Sequence, residues 1–135
     1  MRQLSLSILF FFISFAPLSL SFAQKMTAPD FAIPVDKLPE KLSDLTGQVV
    51  YLDFWASWSK PCRKYFPWMN KIQKKYDFQG LKIIAVNLDS DPALAKVFLE
   101  KVPANIPILH DLEDKIASDY KITGMPSSYL IDRNS

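Results

Sequence analysis

An α/β or α+β sheet sandwich is the fold class that the sequence predicts, and three observations predict it. At ~150 residues per domain, 135 residues allow one domain and leave no room for two. Two near-continuous apolar runs rich in β-formers, at 49–56 and 81–88, have the length and residue types of fully buried strands. Each run is followed by a segment whose apolar residues recur at spacings of three and four, the period of a helix. Strands that alternate with helices imply βαβ units.

Composition narrows the chemistry. Charged residues at 22% and hydrophobic residues at 49% mark a folded chain rather than a disordered one. A single cysteine excludes a disulfide framework, a Cys₂His₂ or Cys₄ zinc site and a self-contained dithiol couple. No Gly-x-x-x-x-Gly-Lys or Gly-x-Gly-x-x-Gly occurs, so no phosphate loop is expected. A net charge of +2 is too small to indicate a nucleic-acid binder. No cofactor and no metal are expected, and His110 reads as a strand-end residue.

The elements follow in order. Residues 1–23 have the pattern of a secretory signal peptide: Arg2, an uncharged apolar stretch from Leu4 to Leu20, then Ser21-Phe22-Ala23 as a small-residue exit. The expected destination is exported, periplasmic or otherwise extracytoplasmic, with no membrane span after cleavage; an uncleaved anchor is the alternative. Cysteines usually pair in such a compartment, so lone Cys62 requires an explanation. It is a buried inert thiol, a reactive thiol, or the survivor of a lost pair. Residues 24–47, broken by Pro29, Pro34 and Pro39, read as an extended lead-in with at most short strands. The domain proper is then 48–135.

Its first strand carries an acid, Asp53, inside an otherwise apolar run. A helix is predicted from Pro61 to Asp77, with Cys62, Tyr65, Phe66, Met69, Ile72 and Tyr76 on one face and a kink at Pro67. Asp91-Pro92 caps and starts a second helix with Leu94, Val97 and Phe98 facing inward. A short strand at 106–109, a short helix at 113–120, a turn at Gly124-Met125-Pro126 and a last strand at 128–131 complete the reading.

The stretch Asp53-Phe54-Trp55-Ala56-Ser57-Trp58-Ser59-Lys60-Pro61-Cys62-Arg63-Lys64 carries the chemistry. It sets Ser59 to Cys62 at a strand-to-helix turn. A thiol there faces unpaired N–H groups and the positive end of the helix dipole, which favour the thiolate. The stretch resembles the active-site turn of thioredoxin-like proteins, in detail that of the exported TlpA/ResA/DsbE-type thiol-disulfide oxidoreductases. Their pattern is Phe-Trp-Ala-Ser-Trp-Cys-x-Pro-Cys-Arg-x-x-x-Pro. The match runs through Phe54, Trp55, Ala56, Ser57, Trp58, Pro61, Cys62, Arg63 and Pro67. Ala28-Pro29-Asp30-Phe31, Val86-Asn87-Leu88-Asp89 and the segment Thr123 to Asp132 resemble further parts of the same branch. The resemblance implies a thioredoxin-like α/β fold, a central mixed β-sheet flanked by helices.

The resemblance also assigns roles, and one is broken. The family's first cysteine is the nucleophile, and here that position is Ser59, while Cys62 stands at the resolving position. A hydroxyl forms no disulfide and does not ionise at neutral pH without a base. Dithiol turnover within one chain is therefore not expected. Asp53 corresponds to a buried acid implicated in proton transfer with the resolving cysteine; it either still modulates Cys62 or is a leftover buried acid. Pro126 corresponds to the family's cis-proline, whose preceding backbone pairs with an extended peptide. Trp58, Met125 and Pro126 are thus candidates to bind a protein or peptide partner at that groove. Lys60, Arg63, Lys64, Lys71, Lys74 and Lys75 form a basic cluster, either a solvated helix face or the site of an anionic partner. No nucleic-acid partner is expected. In the family the last strand is followed by an edge strand and a C-terminal helix, so the resemblance implies a C-terminally truncated domain. Its exposed edge strand can then self-associate. A degenerate gene product, completion by a partner and an incomplete sequence all fit that reading.

Overall fold

The structure, a computed structural model, describes residues 26–134. The signal-peptide reading at 1–23 therefore lies outside the described residues. Seven elements follow in chain order: β1 Val49–Trp55, α1 Lys60–Tyr76, β2 Leu81–Asn87, α2 Pro92–Lys101, β3 Ile108–His110, α3 Lys115–Asp119 and β4 Ser127–Ile131. The sheet order is β3-β2-β1-β4. β1 pairs parallel with β2 and antiparallel with β4, and β2 pairs parallel with β3. This is the mixed sheet expected from the sequence. Among the described residues no helix is long and apolar enough to cross a membrane.

β1 and β2 are apolar on both faces because both faces are covered. Val50, Leu52 and Phe54 alternate onto one face and pack with Ile84, Val86, Leu109, Ala117 and Tyr120. Trp55, Ile83 and Ala85 turn to the other, where α1 supplies Cys62, Phe66 and Met69 and α2 supplies Ala95 and Phe98. The rings of Trp55, Phe66 and Phe98 form a closed triangle with centroids 4.7, 5.1 and 5.2 Å apart. That triangle fixes both helices to one side of the sheet.

The lead-in is more than an extended segment. It makes one isolated bridge, Ala32 with Lys41, and then a 3₁₀ turn at Leu42–Leu45. Ile33, Leu42 and Leu45 are buried in the first core. Prolines break a regular strand, but the apolar residues between them still cover the sheet face that α1 does not.

Two helix faces differ from the periodic reading. Tyr65 is exposed and Gln73 is buried, because α1 leans toward β2 rather than β4. Gln73 Oε1 accepts from Ile83 N at 2.6 Å and its Nε2 donates to Leu81 O at 2.9 Å. It occupies the side of β2 where pairing with β3 has not yet begun, since that pairing starts at Ala85. On α2, Leu94 and Val97 point outward, and the helix buries Ala95 and Phe98 instead. Phe98 is drawn between Trp55 and Phe66, and that rotation turns its neighbours out. α1 runs through Pro67 as one helix.

Two turns feed the central strands. Gly80 has φ +83°, a left-handed conformation that suits glycine. Arg133 spans both turns, donating to Gly47 O and Gln79 O, each at 3.0 Å.

Gln73→Leu removes a buried acceptor and a buried donor from β2 while keeping the volume. It is expected to cost about 1–3 kcal/mol. Urea unfolding reads this as a lower midpoint at unchanged slope. An unchanged midpoint would show that Gln73 is dispensable to the strand.

Candidate active-site turn

β1 ends at Trp55 and α1 begins at Lys60, so Ala56 to Ser59 is the connection that bears the site. Ser59 is the N-cap of α1. Its Oγ accepts from Cys62 N at 3.4 Å and from the Cys62 thiol, with Sγ 2.7 Å away. The cap side chain and the third helical residue meet because an N-cap hydroxyl reaches the N–H three residues on. Cys62 is 1% exposed and Ser59 is buried beside it. The structure thus brings Ser59 and Cys62 into contact, with one thiol and one hydroxyl at the start of a helix.

Asp53 lies on the same sheet face, since Tyr51, Asp53 and Trp55 alternate toward α1. It is 4% exposed, and its neighbours across the strands are Ala85 and Ser128. Burial alone pushes its pKa up from 3.8 to about 7. The acid that looked anomalous in the sequence therefore changes charge near neutral pH.

The connection is held from behind by Asp89, whose role the sequence reading missed. Asp89 is buried and its carboxyl oxygens accept from Ser57 N at 3.2 and 3.1 Å, from Ser57 Oγ at 3.0 Å and from Asn87 Nδ2 at 2.8 Å. Asp89 N donates to Asn87 Oδ1, and Leu88 N donates to Trp55 O. The available signal was the pair of polar residues, Asn87 and Asp89, closing a buried strand.

The residues of the cis-proline segment sit at the same end of the sheet, whereas Lys71, Lys74 and Lys75 lie toward the far end of α1. Phe54 pairs with Ser127, so the residues just before β4 lie opposite the end of β1. Trp58 is 66% exposed, Pro126 is exposed and Met125 is half-buried. The Met125–Pro126 peptide bond is cis. The cations Lys60, Arg63, Lys64, Lys71, Lys74 and Lys75 are all exposed, and the Arg63 guanidinium stands 5.9 Å from the Phe98 ring centroid. His110 closes β3, with Nδ1 3.4 Å from Asn87 Oδ1. Among the described residues no group of three or more His, Cys, Asp or Glu side chains could hold a metal ion.

Comparison with known proteins agrees with this geometry. The model of the AhpC/TSA family matches residues 25–135. The thiol-disulfide oxidoreductase ResA of Geobacillus kaustophilus is 38% identical over 109 residues, which cover 80% of this chain and 63% of that protein. The chain therefore spans less than two thirds of the length of such curated relatives. A solved structure described as a thiol:disulfide interchange protein DsbE, from Chlorobium tepidum, superposes with a TM-score of 0.73 at 52% identity. The superposition covers 79% of this chain and 76% of that one. The thioredoxin domain of a thiol-disulfide oxidoreductase from Bacteroides vulgatus gives 0.71 at 25% identity, covering 84% of each chain.

Two outcomes follow from the burial of the site. Below pH 3.8 Asp53 is protonated in both folded and unfolded chains. From there to about pH 7 only the unfolded chain releases the proton, so the contribution of Asp53 to stability falls as pH rises and then levels off. Relative to the parent, Asp53→Asn is expected to gain up to about 4 kcal/mol above pH 7 and little near pH 4. Urea unfolding across that range measures the difference, and a gap independent of pH would contradict it. Cys62 in the native chain is expected to react with iodoacetamide slower by orders of magnitude than in urea, since reaction requires local opening. Equal rates would show an open thiol.

Proposed function

The chain belongs to the AhpC/TSA family, among the thioredoxin-like proteins of ResA and DsbE type, and on that premise we propose that it is an exported protein impaired in dithiol turnover. It keeps the family's peptide-facing edge. The observation that carries the reading is Ser59 at the nucleophile position, its Oγ 2.7 Å from Cys62 Sγ. Reducing a disulfide takes two electrons and two protons from two thiols, which end as one disulfide. The turn offers one thiol, and the sequence contains no other cysteine. Cys62 acting by itself forms at most a mixed disulfide, whose resolution needs a thiol from outside the chain.

What supports retention of the edge is independent of the missing sulfur. Trp58 is open to solvent, and Met125 and Pro126 stand at the same end of the sheet. An extended polypeptide recognised there makes main-chain and side-chain contacts that do not involve the atom at position 59. Export is supported by the signal-peptide pattern of residues 1–23.

The direct test is a Ser59→Cys variant beside the parent, with dithiothreitol as reductant and insulin as the disulfide substrate. The parent is expected at the uncatalysed rate and the variant on the order of tenfold or more above it, since the second thiol restores the exchange pair. Parent turnover equal to that of the variant would overturn the impairment.

A further inference from the structure

We propose that the groove between the active-site turn and α2 holds an apolar side chain of a partner polypeptide together with an acidic residue next to it. The inference rests on the peptide-binding reading above and gives its partner a chemistry. The groove encloses about 300 Å³, at the small end of the ~300–1,000 Å³ typical of ligand sites. That size suits one or two side chains rather than a flat surface. Its apolar wall is Trp58 from the turn and Leu94, Val97 and Phe98 from α2, with Arg63 and Lys101 among its lining.

Three observations point to this occupant. Leu94 and Val97 are 48% and 52% exposed, and with Trp58 they place three large apolar side chains in water beside the site. Helical periodicity predicts them buried, and they are turned out because Ala95 and Phe98 anchor α2. Apolar surface gathered in a concavity next to the site is the signature of a docking pocket. Second, both charged residues of the lining are cations. The Arg63 guanidinium stands over the Phe98 ring, so one positive charge lies against the apolar wall itself. A carboxylate beside the inserted side chain is attracted there and a lysine is repelled. Third, Ser57 also lines the groove and is held by Asp89 through three hydrogen bonds, so that side of the groove is ordered before a ligand arrives.

Fluorescence anisotropy with labelled peptides tests this. Three short Gly/Ser peptides differ only in a central pair: Phe-Glu, Phe-Lys or Ser-Glu. The proteins are the parent, Lys101→Glu, Val97→Asp and Trp58→Ala. All three changes lie at exposed positions, and a thermal melt verifies that each variant is folded. The parent is expected to bind Phe-Glu about tenfold or more tighter than the other two peptides, with the preference shrinking in high salt. Lys101→Glu is expected to prefer Phe-Lys, and Val97→Asp to lose about tenfold toward Phe-Glu. If Trp58→Ala weakens binding while Val97→Asp and Lys101→Glu leave affinity and preference unchanged, the groove is overturned and the peptide-binding reading stands. If the parent binds none of the peptides, both are overturned.

Discussion

Asp89 ties the chain leaving β1 to the chain leaving β2 at the point where both strands end. Its two carboxyl oxygens take the Ser57 amide, the Ser57 hydroxyl and the Asn87 side-chain amide. A buried acid with that many donors is costly to displace, because each lost partner leaves a polar group without water or replacement. The four-residue connection from Ala56 to Ser59 is therefore held from outside itself. Where Ser59 sits decides where α1 starts, and where α1 starts decides that Cys62 points into the core. The aromatic triangle of Trp55, Phe66 and Phe98 continues the same constraint into α1 and α2.

Serine at position 59 keeps the architecture of the turn while changing its chemistry. Serine is among the best N-cap residues, and here it caps α1 through the Cys62 amide. The helix start loses nothing by the exchange of sulfur for oxygen. Under the proposed function the redox cycle lacks its second thiol. The fold and the reaction thus respond in opposite ways to one residue, since the fold needs a hydrogen-bond acceptor at that place and the reaction needs a polarisable nucleophile. Asp53 shows the same separation. Its burial makes it titrate near neutrality, a property the fold pays for in stability and that matters chemically only if a nearby proton moves.

The two sides of the turn differ in character. Toward β4 lie Met125 and Pro126, at the end of the sheet where the antiparallel pair begins. Toward α2 lies the apolar groove with its two cations. Trp58 is exposed on the turn itself and lines that groove. Under the proposed function recognition is the activity that remains, and recognition draws on surface apolarity and charge rather than on sulfur.

Much of this was legible along the chain. The apolar runs at 49–56 and 81–88 became β1 and β2, Asp91-Pro92 became the start of α2, and the spacing of Ser59 and Cys62 became an N-cap and its third helical residue. These features are local: a strand run, a capping residue and a three-residue spacing are all settled by neighbours within one turn or one pleat. Other features depended on partners far away in sequence. Asp89 meets Ser57 across 32 positions. Gln73 replaces a missing strand at β2, and Leu94 and Val97 face water because Phe98 is drawn into a cluster built by β1 and α1. The sequence by itself determined the elements, their order and the serine at position 59. Only the tertiary structure decided which way α2 turns and how buried Asp53 is, because rotation and desolvation are set by what packs across the element and not by what precedes it.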